Sequence, residues 1–317
     1  MRWWPAICLL LWQEAQVINR IHILVPVSHT GPLEPAFEHA LILAKTSGAE
    51  LHLVHAVPGD RPFSTRAAER LARWAELRAR AAAAGVPLET AEQHGDPADV
   101  IVLHADARAV DLIVMSTERR TGWEKFRQPS VAERVVRRTT RPVLVVREDG
   151  AVPAAFENVL VAVDLTPAST VLVDVARKLF GDDVRQLTVL HAANRLEARD
   201  AVLSHARWVV PEYRGHVLDE ARKQLEAVTS SIRADANVNV RARVATGSAA
   251  EAVVAHAADV DADLIVVGRN RRFMRPGATG IRVLRQTDRP LLVVPSTGWT
   301  AAKRPIETEE ASLRRAA

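Results

Sequence analysis

Cysteine is nearly missing from this 317-residue chain: Cys8 stands alone, which excludes an intrachain disulfide and any cysteine-based zinc site. Aromatic residues are scarce at 4%, with Tyr213 the single tyrosine. That leaves too few stacking platforms for a single-stranded nucleic-acid channel. A surplus of one charge is lacking as well, since 42 basic against 38 acidic residues give a net charge of only +4. Nucleic acid is therefore not an expected partner. Long hydrophobic runs are absent where they would matter. The opening "MRWWPAICLLLWQEAQ" has a basic residue and an apolar stretch over 3–12, in the manner of a secretory signal. It falls well short of the roughly 20 apolar residues that span a bilayer, and no small-x-small cleavage site follows cleanly. An unstructured or misassigned start is the reading adopted, with no membrane partner and a cytoplasmic location expected. Walker and Rossmann glycine patterns are missing too, as is any nucleophile–base–acid set at recognisable spacing. The chain is not expected to be an enzyme.

What is present is a duplication. "IHILVPVSHTGPLEPAFEHALILA" matches "ENVLVAVDLTPASTVLVDVARKLF", and "QHGDPADVIVLHADARAVDLIVMS" matches "ATGSAAEAVVAHAADVDADLIVVG". A third block, "AERVVRRTTRPVLVVRE", matches "GIRVLRQTDRPLLVVPS". Their order is kept, with an insertion at 194–214 in the second half. The expected boundaries are an N-terminal extension over 1–19, a first domain over 20–148, a linker over 149–157, a second domain over 158–296 and a tail over 297–317. At this length each domain is expected to bury its own core.

Within the first half, apolar runs predict buried strands at 22–28, 50–56, 88–94, 111–116 and 142–147. Amphipathic stretches near 33–47, 62–84, 97–108 and 130–139 predict helices between them. Asp96 before Pro97 reads as a helix start, and "SVAE" from Ser130 to Glu133 as a capping box. Runs such as "ILVPV" suit a parallel sheet covered on both faces, with ligands at the carboxyl ends of its strands, at the topological switch point. The strands at 141–146 and 289–294 are apolar sheet edges, a liability unless paired. They are expected to meet and make the halves a pseudo-two-fold pair. The insertion is expected to form a helix-containing cover over the second half, because "RWVVPEY" needs a surface to bury against.

These residues and their order resemble the universal stress protein family, as a tandem member, over nearly all of Arg20–Ser296 and twice. The resemblance implies an α/β fold of two doubly wound five-stranded parallel sheets, each of order 3-2-1-4-5. It also implies, in some members, a nucleotide held by Gly-x-x-Gly-x9-Gly-Ser/Thr after the fourth strand, with an aspartate ending the first. In the first half those glycine positions hold Ser116, Arg119 and Pro129, and the aspartate position holds Ser28. Arg119 and Ser116 do not readily take positive φ, and Pro129 has no N–H to give an anion. Ser130 alone remains, so this half is not expected to bind nucleotide. The second half keeps Asp164 and Gly268, has Arg271 at the second glycine, and reaches Gly277 through a shortened loop followed by Thr279 and Gly280. Asp164, Gly268, Gly277, Thr279 and Gly280 are the candidate binding residues, for ATP or another small anionic ligand. The alternative is that Gly268 and Gly277 merely make turns.

Two further groupings carry less. His29, His55 and His94 near the ends of the first three strands suggest a metal set, but only His55 has a counterpart, His191, and no metal site is expected. His104 and His256 match each other and read as packed mid-helix residues. Arginines around both loops (Arg119, Arg120, Arg127, Arg134, Arg137, Arg138, Arg269, Arg271, Arg272 and Arg275) form either an anion surface or a solvated face balanced by Glu118, Glu124 and Glu133. The expectation is a non-catalytic stress-response binding or regulatory protein, with a partner protein or self-association. The alternatives are a nucleotide-switched or nucleotide-hydrolysing protein using the second half, and a structural scaffold for partner proteins.

Overall fold

The structure is a computed structural model, which describes residues 20–28, 35–57, 67–117, 129–166, 169–180, 183–193, 210–233, 238–269 and 279–295. In the first half the elements run β1 (His22–Pro26), α1 (Pro35–Ser47), β2 (Glu50–Val57), α2 (Ala67–Ala83), β3 (Leu88–His94), α3 (Pro97–Ala107), β4 (Leu112–Thr117), α4 (Val131–Arg138) and β5 (Val143–Arg147). The second half repeats them as β6 (Asn158–Val163), α5 (Ser169–Phe180), β7 (Gln186–Ala193), α6 (Val210–Arg233), β8 (Asn239–Thr246), α7 (Ala249–Asp259), β9 (Leu264–Arg269), α8 (Thr279–Gln286) and β10 (Leu291–Pro295). Strands β1 and β4 are almost wholly buried, as uniform apolar runs require in a sheet covered on both faces.

Each half has its strands in the order 3-2-1-4-5, and the two join into one ten-stranded sheet, β3-β2-β1-β4-β5-β10-β9-β6-β7-β8. The junction is the antiparallel pair β5–β10, with Leu292 opposite Leu144, Leu291 opposite Val145 and Val293 opposite Val143. Leu144 and Leu292 are matching residues of the repeat, so the pseudo-two-fold axis passes through their pair. The expected meeting of the last strands is what the structure shows. Its reason is that two apolar edges satisfy each other's backbone groups.

Two expectations change. Strands β3 and β8 are only half-buried, because they lie at the outer ends of the sheet, and charged side chains such as Glu89, Glu92, Arg241 and Arg243 line them. The cores are also not one per half. One core, under α1, α2, α5 and α6, runs along one sheet face through both halves, and the other, under α3, α4, α7 and α8, runs along the opposite face. A continuous sheet divides its apolar side chains by face, not by chain segment. Phe156, before β6, locks the first core across the seam, with ring centroids 4.8 Å from Phe180 and 6.1 Å from His39. The insertion expected to cover the second half lies outside the described residues over 194–209, while 210–214 belong to the start of α6.

Candidate functional site

The switch point of each half lies where the chain leaves the carboxyl end of its central strand, β1 or β6, which is flanked by strands reached in opposite directions. In the first half the fourth strand brings a hydroxyl to that place. Ser116, in β4, accepts the N–H of Ala36 through Oγ at 3.2 Å. Ala36 is the second residue of α1, and its amide is one of the orphan donors that a helix start offers an anion. Ser28 follows β1 and is exposed. Ser130 accepts the Glu133 N–H at 3.1 Å and caps α4 as expected, but the capping box stays half-made because the Glu133 carboxylate turns to Arg137 and Arg285. Arg119 lies outside the described residues.

The second half differs at matching positions. Asp164 directly follows β6, and its Oδ1 accepts from the Thr166 amide at 3.3 Å and from the Thr166 hydroxyl at 2.6 Å. Between them Leu165 takes φ +57°, an uncommon conformation for a leucine, in the turn that leaves the switch point. Gly268 stands in β9, opposite Val294 of β10, so it does not make a turn. An added Cβ there would meet Leu172 Cδ1 at 3.4 Å, an ordinary van der Waals contact. Leu172 is the repeat counterpart of Ala36, so the same strand-to-helix contact is a hydrogen bond in one half and an apolar lid over glycine in the other. Strands β6 and β9 are parallel neighbours, which brings Asp164 and Gly268 to the same sheet end. Thr279 is exposed and Gly280 buried in the first turn of α8. Gly277, Arg271, Arg272 and Arg275 lie outside the described residues.

Arg269, at the start of the second arginine-rich loop, is spent within the protein. Its Nη1 donates to the Val136 carbonyl at 2.8 Å, across the seam at the end of α4. Burial pulls its pKa below the ordinary arginine value. Arg147 acts in the opposite sense, donating to the carbonyls of Leu284 at 2.7 Å and Thr287 at 2.8 Å at the end of α8. Each half thus supplies a cation to the unsatisfied carbonyl end of the other half's last helix. Between them Glu133, buried, takes Arg137 at 2.9 Å and Arg285 through both oxygens at 2.9 Å. Arg137 and Arg285 are repeat counterparts, so one carboxylate serves both at the pseudo-two-fold axis. The remaining helix arginines are paired rather than presented to a ligand: Arg134 with Asp96 at 2.8 Å, and Arg138 with Asp99.

Of the three strand-end histidines, His29 lies outside the described residues and His94 is exposed. His55 donates through Nδ1 to the Val27 carbonyl at 2.9 Å, and His191 repeats this bond to Val163 at 3.0 Å. Both are strand-end fasteners. His104 and His256 pack within α3 and α7, His104 buried and His256 hydrogen-bonded to the Ala252 carbonyl at 3.1 Å. Sequence reasoning missed the seam role of Arg147, Glu133, Arg285 and Arg269. The signal that marks Glu133 is its repeat counterpart, Ile281: a charge where the other half is apolar.

A tandem pair of doubly wound units fused through their last strands, with a strand-end aspartate and glycine in one of them, defines the class. The sequence profile of the universal stress protein family matches residues 20–147 and again 155–295, and the chain belongs to that family. It is 32% identical over 141 residues to a universal stress protein of Methanocaldococcus jannaschii, a match covering 40% of this chain and 81% of that protein. The universal stress protein YxiE of Bacillus subtilis is 29% identical over 144 residues, covering 39% of this chain and 97% of YxiE. A solved universal stress protein from Archaeoglobus fulgidus shares the fold over 86% of this chain and 96% of its own, with a TM-score of 0.59 at 18% identity. Among the described residues no helix is long and apolar enough to cross a membrane.

Proposed function

We propose that this chain is a non-catalytic stress-response binding protein in which only the second half retains the means to hold an adenine nucleotide, and holds it weakly. The observation that carries the reading is the contrast at one position. Ser116 spends a helix-start amide on its own hydroxyl, whereas Gly268 leaves the matching strand end without a side chain, on the strand next to the one that Asp164 follows. A carboxylate at this place suits a ribose hydroxyl, and glycine backbone suits a phosphate. Leu172 over Gly268 narrows that approach, which argues for low affinity.

Calorimetry of the full chain with ATP is expected to give one weak site, with Kd of about 0.1–1 mM, equivalent to about −4 to −5.5 kcal/mol. Gly268→Ala is accommodated sterically, so it should leave the melting temperature in place while weakening ATP at least about tenfold, as should Asp164→Asn. Absence of any heat of binding at millimolar ATP would remove nucleotide from the reading and leave a partner-docking scaffold. ATP turnover by the wild-type chain that Asp164→Asn abolishes would replace binding with catalysis.

A further inference from the structure

At the opposite end of the first half's sheet, three side chains with metal-binding atoms converge. His22 opens β1, Glu50 opens β2 and His52 lies two residues further along β2. The parallel register sets His22 beside Glu50 and Leu24 beside His52, so alternation puts all three on one face, the one packed under α3 and α4. His22 Nδ1 and His52 Nε2 stand 3.0 Å apart, Glu50 Oε1 is 3.9 Å from His52 Nε2, and the three ligand atoms lie within 4.8 Å of one another. We propose that His22, His52 and Glu50 bind one borderline divalent transition-metal ion, of which zinc is the reference case.

The geometry suits such an ion. Two imidazole nitrogens on a tetrahedral centre with bonds of about 2.0–2.1 Å stand roughly 3.3 Å apart, a few tenths wider than the pair stands now. The next ring of contacts selects the right tautomer. Glu89, on β3, places Oε2 3.5 Å from His52 Nδ1 and is itself held by Arg108 at 2.8 Å. A proton on His52 Nδ1 faces that carboxylate, which leaves a lone pair on Nε2 for the ion. In the metal-free chain His22 Nδ1 donates its proton across 3.0 Å to that lone pair; the ion takes the proton's place, and His22 carries its proton on Nε2 instead and offers Nδ1. Its ring is stacked on His52 with centroids 4.8 Å apart, and its backbone N–H is tied to Asp111 at 2.9 Å. Two imidazoles and a carboxylate are a nitrogen–oxygen set for zinc, cobalt or nickel rather than for magnesium or calcium, and a fourth position remains for water.

The duplication supplies an internal control. At the same register positions the second half has Asn158 beside Gln186, and Thr188 beside Arg241. Every ligand is replaced, and Arg241 stands where Glu89 supports His52. The site is therefore a property of the first half, at the sheet end away from the nucleotide position.

The test is titration of the full chain, stripped of metal by chelator, with zinc by calorimetry and with cobalt by visible absorption. One equivalent at micromolar or tighter Kd is expected, with the d–d bands of a four- or five-coordinate nitrogen–oxygen site. His22→Asn and Glu50→Gln borrow residues that the second half already accommodates, and each should weaken zinc at least about tenfold, their combination abolishing the site. Glu89→Gln should cost about 10–100-fold in affinity at unchanged stoichiometry. His55→Asn should change nothing. Failure of the wild type to bind zinc below about 100 μM, or a double variant binding as tightly as wild type, overturns the proposal. Should the double variant not fold, the wild type decides by nitrogen NMR: zinc must shift the imidazole resonances of His22 and His52, and shifts confined to other histidines overturn it.

Discussion

Glu133 is a buried carboxylate at the seam, set between two arginines related by the pseudo-two-fold axis. Glu133→Gln keeps the shape and removes the charge, leaving Arg137 and Arg285 to repel. Breaking a buried pair costs about 3–5 kcal/mol, but Arg285 is 41% exposed, so a loss of about 2 kcal/mol is expected. Urea denaturation should show it as a lower midpoint at unchanged slope, and a double-mutant cycle with Arg285→Ala should return a coupling above about 1 kcal/mol. His39 sets a second residue-scale expectation. It is buried, its Nδ1 donates to the Pro35 carbonyl at 2.7 Å, and its Nε2 has no hydrogen-bond partner among the described residues. Burial pulls its pKa below 6.5, as it also does for His104. In both cases the unfolded chain takes up a proton that the folded one refuses, so stability is full above pH 6.5 and falls as pH drops below it. Thermal melts between pH 7.5 and 5.5 should show this decline, and His39→Phe should lessen it, leaving the share of His104. An unchanged profile in that variant would assign the pH dependence elsewhere.

At the scale of elements, matched helix starts in the two halves differ in how they are capped. Asp96 accepts from the amides of Ala98 at 3.0 Å and Asp99 at 3.4 Å and also holds Arg134, whose hydrogen bond keeps its carboxyl below the usual carboxylate range. It is therefore charged at neutral pH, where a negative charge favours a helix start. Its counterpart Ser248 caps α7 in position only, making no side-chain bond to the helix. Asp96→Ala should cost about 1 kcal/mol or slightly more, and Ser248→Ala no more than a few tenths. Equal losses would show that the cap geometry is not what anchors these helices. The glycine before each cap has its own reason: Gly95 takes φ +142° and Gly247 φ +118°, both unfavourable for any residue with a Cβ, in the tight turn from strand to helix.

For the whole molecule, the decisive feature is that the sheet and both cores ignore the boundary between the repeats. Unfolding is expected to be one transition, with calorimetric and van't Hoff enthalpies in agreement, despite the chain being a duplication. Ile265 donates its N–H to the Pro290 carbonyl, so Leu292 turns its own N–H to β9; Val293→Pro is the change that removes a backbone donor from the β5–β10 pair, where Val293 faces Val143. It should split the melt into two steps or drive aggregation through the exposed edges. A single, merely lowered transition in that variant would mean that the cores, not the strand pair, couple the halves.

The sequence by itself determined the duplication, the alternation of strands and helices, the loss of glycine at Ser116 and Pro129, and the helix start at Ser130. All of these are written in short windows, by periodicity, by a repeated order of blocks and by residues whose backbone freedom is intrinsic. Even the meeting of the last strands followed from local facts, since apolar edges with unpaired backbone groups have few alternatives. The tertiary structure alone decided which side chains meet. Arg269, adjacent in sequence to Gly268, spends its guanidinium on Val136 in the other half. His22 and His52, 30 residues apart, face each other only because β1 and β2 pair in one register. A one-residue slip would send either histidine to the opposite face. Register and crossover direction are collective outcomes of packing, and no window of sequence contains them.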